Sequence, residues 1–151
     1  MLSLVDREAG KARSMVVNSL KADELVPLLQ ENIATEARVM TDEVGQYVNL
    51  SDDPAEHGVV PHGTGEYVRQ DDKTIHTNTI DGYFSIFKCG MKGVYQHCAK
   101  KHLHRYLAEF DFRYNHRAAH EIGDGERVAK ALTEIAGKRF MYRDSSGVAA
   151  G

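Results

Sequence analysis

KTIHTNTIDGYFSIFKCGMKGVYQHCAKKHLHRYLAEFDFRYNHR, residues 73–117, holds most of the chemistry of this chain. Read as a helix from Asn78 to Cys89 at about 100° per residue, it places Asn78, Asp81, Ser85 and Lys88 within an arc of about 80°. Ile80, Tyr83, Phe84 and Phe87 fill the opposite arc, so one face is core and the other a polar stripe. A carboxylate, an amide and an ammonium along one helix edge, backed by aromatic residues, is a way to hold a metal ion and a phosphate together. A solvated face with an i, i+7 charge pair is the commoner origin of such a stripe, and both readings stand at this point.

Outward from this stretch, the whole chain of 151 residues suits one domain with a continuous core. Its hydrophobic content of 42% with 27% charged residues is globular, and no apolar run approaches the roughly 20 residues a membrane span needs. The first residues, Met1 to Asp6, lack a basic region and a long apolar region, so a cytoplasmic protein without a secretory signal is expected. Cys89 and Cys98 make no disulfide framework and are expected as thiols. A formal charge of −3 argues against a generally basic nucleic-acid binder. The distribution is uneven: Lys88, Lys92, Lys100, Lys101, Arg105, Arg113 and Arg117 follow an acidic stretch from Asp42 to Asp72. A local basic surface of this kind is compatible with DNA binding.

Taken in order, Ser3 to Glu8 and Ala12 to Val17 surround a Gly-containing turn and read as a β-hairpin. Lys21 to Ile33 reads as a helix with Asp23 as N-cap, Pro27 tolerated, and Leu25, Leu28, Leu29 and Ile33 on one face. Ala37 to Met40 is a short strand ending in Thr41-Asp42, and a carboxylate there sits where α/β sheets usually place active groups. Asp42 also suits a helix N-cap ahead of Val44, Tyr47 and Val48. Residues 50–55 form a turn cluster, His57 to His62 a short strand limited by Pro61, and residues 63–79 a loop leading to an N-cap at Thr77 or Asn78. The pattern predicts a chain break at Gly90 to Gly93, a helix from Ala99 to His116, and a last helix from Glu126 to Ala136 with Val128, Leu132 and Ile135 inward.

Zinc is not expected, because Cys89, His97, Cys98, His102 and His104 lack metal-ligand spacing. Neither a nucleophile elbow nor a P-loop is present. What remains is Asp42 and Asp81. With a divalent metal, such carboxylates activate water or a 3′ hydroxyl and stabilise in-line phosphoryl displacement, and Lys88 would neutralise phosphate charge nearby.

The run from His76 to Arg117 resembles the C-terminal part of DDE-type transposases of bacterial insertion sequences, the ISXO-like group. The pattern there is approximately HTN, two residues, E-G-F/Y, an aromatic or hydrophobic pair, LK, a Gly-rich turn, G-x-Y/H, then HL-x-RY-x-x-EF-x-x-RYN-x-R. Thr41-Asp42 with Tyr47, and Pro61-His62-Gly-x-Gly-Glu-Tyr67, match that family's middle, and the resemblance covers about residues 2–142. It implies an RNase H-like α/β fold, a mixed sheet flanked by helices, forming a catalytic domain over residues 1–142 with a flexible tail at 143–151. It implies two-metal chemistry with Mg²⁺ or Mn²⁺ that cuts and rejoins DNA, with DNA as partner and a homo-oligomer or full-length transposase as a further one. Asp42 matches the second catalytic Asp, Asp81 stands where many members have the third acid, and Lys88 matches the family's Lys. Asn78 is the alternative third residue. His76, Lys92, His102, Arg105, Arg113 and Arg117 are the DNA-binding candidates.

The departures carry their own expectation. In this fold the first catalytic Asp lies on a first strand upstream of the hairpin at residues 3–17, so that strand and its acid are expected to be missing. Asp6 matches a charged position on the second strand and does not substitute. The N-terminal zinc-ribbon and helix-turn-helix regions of such proteins are not seen either, and Asp in place of Glu at position 81 shortens that carboxylate by one methylene. An N-terminally truncated transposase, weak or inactive alone, is the expectation, with a non-catalytic remnant that binds DNA or a transposase as the alternative.

Overall fold

A computed structural model of the chain describes residues 1–42, 56–61, 63 and 67–136. The helix expected behind Asp42, the turn at 50–55, His62 and the tail at 143–151 lie outside the described residues. The chain is α/β and divides into two compact units, Met1–Asn115 and His116–Gly151.

The first unit begins with an antiparallel hairpin, β1 (Leu2–Asp6) and β2 (Lys11–Met15), in the register Leu2↔Met15 to Asp6↔Lys11. The turn closes because Asp6 Oδ1 accepts the amides of Glu8 and Ala9, both at 2.8 Å, and because Gly10 adopts φ 62°. This is an Asx-type turn with glycine at the left-handed position. Strand alternation then sorts the side chains. Leu2, Leu4 and Met15 pack with Leu25 and Leu29 of α1 (Ala22–Asn32), while Ser3 and Ser14 point to the other face.

α1 starts two residues earlier than a cap at Asp23 would set. Lys21 stands at the N-cap without a side-chain bond, which leaves the first amides to the Lys21 carbonyl and solvent. Pro27 lies inside the helix, yet Leu25 and Leu29 are buried at 2% and 3% exposure, so core contact outweighs the one missing amide.

β3 (Arg38–Asp42) and β4 (Glu56–Val60) pair in parallel. Among the described residues the strands form two separate two-stranded sheets, β1-β2 and β3-β4, and not the single mixed sheet expected.

α2 (Asn78–Gly90) buries Tyr83 and Phe87 and packs through Phe87 against Leu107 and Phe110 of α3 (Leu103–Asn115), with the Phe87 and Phe110 rings edge to face at 4.9 Å. The break expected at Gly90 is absent. Gly90 is helical at φ −63°, and the helix runs on into a π turn over Met91–Tyr95 that ends at Gln96, φ 53°. A Cβ at Gly90 would run into the Phe110 ring, so glycine serves close packing here and not termination. The helix expected from Ala99 begins as a 3-10 turn, Lys100–His102, and becomes α-helical at Leu103.

In the second unit, α4 (Asp124–Ile135) follows a 3-10 turn at Ala118–His120. Arg127 ties its first turn, donating to the His116 carbonyl at 2.8 Å and pairing with Asp124. Val128, Leu132 and Ile135 are not inward: they are 58%, 60% and 43% exposed. The spacing makes one apolar face, but a local pattern does not supply the surface that would cover it.

Candidate active site

Asp42 is the last residue of β3, opposite Val60, rather than a residue beyond the strand. Val39 joins the core around Leu25 and Leu29, so Thr41 shares the α1 face and Asp42 takes the other. Thr41 Oγ1 and His57 Nε2 are 2.8 Å apart across the β3-β4 pair, and burial lowers the His57 pKa, which keeps the ring neutral. Asp42 is half-buried, and its carboxylate has no hydrogen-bond or ion-pair partner among the described residues.

The loop that leads into α2 is pinned at both sheets. Asp72 accepts the Thr74 hydroxyl at 2.6 Å and amide at 2.9 Å, and pairs with Arg38 at 2.9 Å. Those bonds, led by the two from Thr74, pull its carboxyl down to about 2. Arg7, just past β1, donates to the Thr74 carbonyl at 2.8 and 2.7 Å, and Arg38 donates to the Thr74 hydroxyl at 2.6 Å. His76 pairs with Val68 in an isolated bridge and lies 3.4 Å from Arg7 through Nε2. Burial and the Arg7 charge lower its pKa. Because a guanidinium only donates, Nε2 accepts and the ring proton belongs to Nδ1, which is buried and unpartnered among the described residues.

At the helix start, Thr77 is buried and occupies the N-cap, but its hydroxyl donates to Asp81 Oδ2 at 2.9 Å instead of capping an amide. Asp81 is thereby held against the first turn with one oxygen engaged. Asn78, Asp81, Ser85 and Lys88 share the exposed face of α2 as the period requires.

The basic candidates are scattered. Lys92 is exposed on the π turn, His102 is half-buried in the 3-10 turn, and Arg105 is exposed on α3. Arg113 is engaged with Glu109 at 3.0 and 2.8 Å, while Arg117 lies in the second unit. Glu109, bonded to Tyr95 as well as Arg113, is held below the usual carboxylate range, so this face of α3 is not simply positive. Among the described residues no three His, Cys, Asp or Glu side chains converge in a metal-holding group.

One constellation escaped the sequence reading. Asp111 Oδ1 accepts the Tyr83 hydroxyl at 2.6 Å and the Ser14 hydroxyl at 2.9 Å, and Oδ2 accepts the Ser14 amide at 2.6 Å. Ser14 also meets Ser3 at 2.9 Å and Tyr83 at 2.8 Å. Burial first, then the Asp111 carboxylate, push the Tyr83 phenol well above its ordinary range. One turn on, Asn115 brackets Ala12, accepting its amide at 2.6 Å and donating to its carbonyl at 2.8 Å. The signal was available: Asp111 interrupts the apolar face of Leu107, Phe110 and Tyr114, and a carboxylate there needs partners. This network fixes α2, and with it Asp81, to the hairpin.

No curated protein and no solved structure matches the chain significantly. The family model described as ISXO2-like transposase domain matches residues 1–115, the span of the first compact unit and about three quarters of the chain. The chain therefore belongs to the ISXO2-like transposase domain family.

Proposed function

We propose that residues 1–115 are part of an RNase H-like catalytic domain that cuts and joins DNA strands by metal-dependent phosphoryl transfer. Asp42 and Asp81 are the metal-binding carboxylates, Asn78 an alternative third residue, and Lys88 a phosphate neighbour. The family match carries this reading, together with an unengaged carboxylate at the end of a parallel strand and a polar helix face bearing a second one. The donor chemistry fits Mg²⁺ or Mn²⁺, since both carboxylates are hard oxygen ligands. A bound divalent ion would lower the pKa of an attacking water or hydroxyl and neutralise charge on the phosphate. The chain's own part is to hold Asp81 through the Thr77 hydroxyl and to place Lys88 two turns along the same face.

On this reading the chain alone is weakly active or inactive. A second reading is a non-catalytic partner that binds DNA or a full-length transposase through the basic side chains near α3, favoured by the exposed Arg105 on that helix. Incubation with labelled duplex DNA and Mn²⁺ separates them. Metal-dependent nicking that falls about 100-fold in Asp42→Ala and in Asp81→Ala, a loss of about 2.7 kcal/mol in barrier lowering, supports catalysis. Binding without nicking, unchanged in both variants but lost when Arg105 and Arg113 become Ala, supports the second reading.

A further inference from the structure

We infer that the π turn Met91–Tyr95 docks duplex DNA, with Val94 set into a groove and the charged groups of Lys88, Lys92, Lys100, Lys101 and Arg105 on the phosphates around it. The inference rests on the proposed reading in taking DNA as the substrate, and it adds a contact surface that needs neither metal nor strand cleavage.

Charge selects the occupant. Between Asp81 and Glu109 the chain carries those five cations and no aspartate or glutamate, although its formal charge is −3. All five side chains are exposed, and none has a hydrogen bond or ion pair among the described residues. By contrast, Arg38, Arg69, Arg113 and Arg127 are each paired with a carboxylate. An acid-free run of unpaired cations on an acidic chain is a surface for a polyanion, because each phosphate contact releases counterions and no neighbouring carboxylate opposes it.

Shape selects the contact point. Val94 is 73% exposed, the most of any large hydrophobic side chain among the described residues, and it follows Lys92 by two positions. An exposed valine is ordinary by itself. This one stands on a fixed support. The adjacent Tyr95 ring packs edge to face on Tyr106 at 4.8 Å and on Phe110 at 6.0 Å, its hydroxyl bonds Glu109, and Met91 packs against Phe87, Leu107 and Phe110. Gln96 closes the turn, with its amide on the Met91 carbonyl at 2.9 Å and φ at 53°, a left-handed conformation that a non-glycine residue holds only under constraint. π turns are rare and concentrate at functional sites. An apolar side chain held out from so firmly fastened a turn enters a groove with little loss of freedom. Its position also suits the substrate. Along the helix, at about 1.5 Å per residue, Val94 lies within about 20 Å of Asp81, no more than about six base steps of duplex.

The test is fluorescence anisotropy of a labelled mixed-sequence duplex of about 30 base pairs with the full chain in EDTA, from about 50 to about 200 mM KCl. The expected slope of log Kd against log salt is about 4 to 5, and Lys100→Ala and Lys101→Ala should each lower it by about 0.9. Val94→Ala should weaken binding about tenfold at fixed salt with the slope unchanged, because the contact it loses is apolar, and Val94→Ile should bind as the parent chain does. Circular dichroism verifies that the variants fold alike. Three results overturn the inference: Val94→Ala binding within about twofold of the parent; lysine variants that leave the slope unchanged, meaning that DNA lies elsewhere; or polyglutamate of matched charge displacing the duplex as well as unlabelled duplex does, meaning a general anion surface. Absence of binding by the parent chain would instead overturn the DNA reading as a whole, and this inference with it.

Discussion

Replacing Asp111 should reveal how α2 is fixed to the hairpin. Its carboxylate receives three donors: the Ser14 amide, the Ser14 hydroxyl and the Tyr83 hydroxyl, at 2.6, 2.9 and 2.6 Å. In Asp111→Ala the hydroxyls retain a route, because Tyr83 can donate to Ser14 and Ser14 to Ser3. The Ser14 amide has none. An orphaned donor costs about 1–3 kcal/mol and each lost bond to a charged acceptor about 1.5–3 kcal/mol, so with hydroxyl re-pairing the total is about 3 kcal/mol. Asp111→Asn should cost only about 1 kcal/mol, because a flipped amide still accepts the Ser14 N–H while its NH₂ donates to the two hydroxyls. Tyr83→Phe should cost about 1 kcal/mol, since Ser14 keeps Asp111 and Ser3.

Urea unfolding followed by far-ultraviolet circular dichroism measures all three, and thermal midpoints should follow at about 2–4 °C per kcal/mol. A Tyr83→Phe/Asp111→Ala pair should deviate from additivity by about 0.5 kcal/mol or more, because the two groups share a bond. If Asp111→Ala lies within about 0.5 kcal/mol of the parent chain, the network does not anchor α2. If Asn is as damaging as Ala, it is the charge and not the acceptor geometry that matters.

Two glycines of α2 should respond in opposite directions to alanine. Gly82 has nothing within 4 Å of an added Cβ, so Gly82→Ala should stabilise by about 0.5–1 kcal/mol; Gly90→Ala drives a Cβ into the Phe110 ring and should destabilise by about 1–3 kcal/mol, both read from urea midpoints. Asp72 titrates below its ordinary 3.8, at about 2, because Thr74 and Arg38 bond its charged form. A carboxyl depressed in the folded state adds stability above its unfolded pKa and loses it as pH falls, so the Asp72 contribution should fade between about pH 4 and pH 2. An NMR titration of its side-chain carboxyl carbon checks the midpoint, and Thr74→Val should move it back toward 3.8.

What the sequence made legible follows from the range of each signal. The face of α2 that carries Asn78, Asp81 and Lys88 was readable because helical period is local, and the hairpin because Asp6 and Gly10 close a turn within five residues. Asp42 at the end of a strand was readable for the same reason, although its neighbours in space were not. The Asp111–Ser14 bonds join positions 97 apart, and no local pattern announces which strand edge a helix side chain will seal. Equally, Val128, Leu132 and Ile135 announce an apolar face without announcing its cover. Gly90 states the general case. Its missing Cβ makes it a helix breaker when chain entropy decides and a packing residue when a neighbour decides, and the neighbour, Phe110, stands twenty residues away. The same logic applies to the sheet: the local pattern of residues 2–6 and 38–42 identifies strands, but only the bonds of α3 to Ala12 and Ser14 show which edge of the hairpin that helix seals.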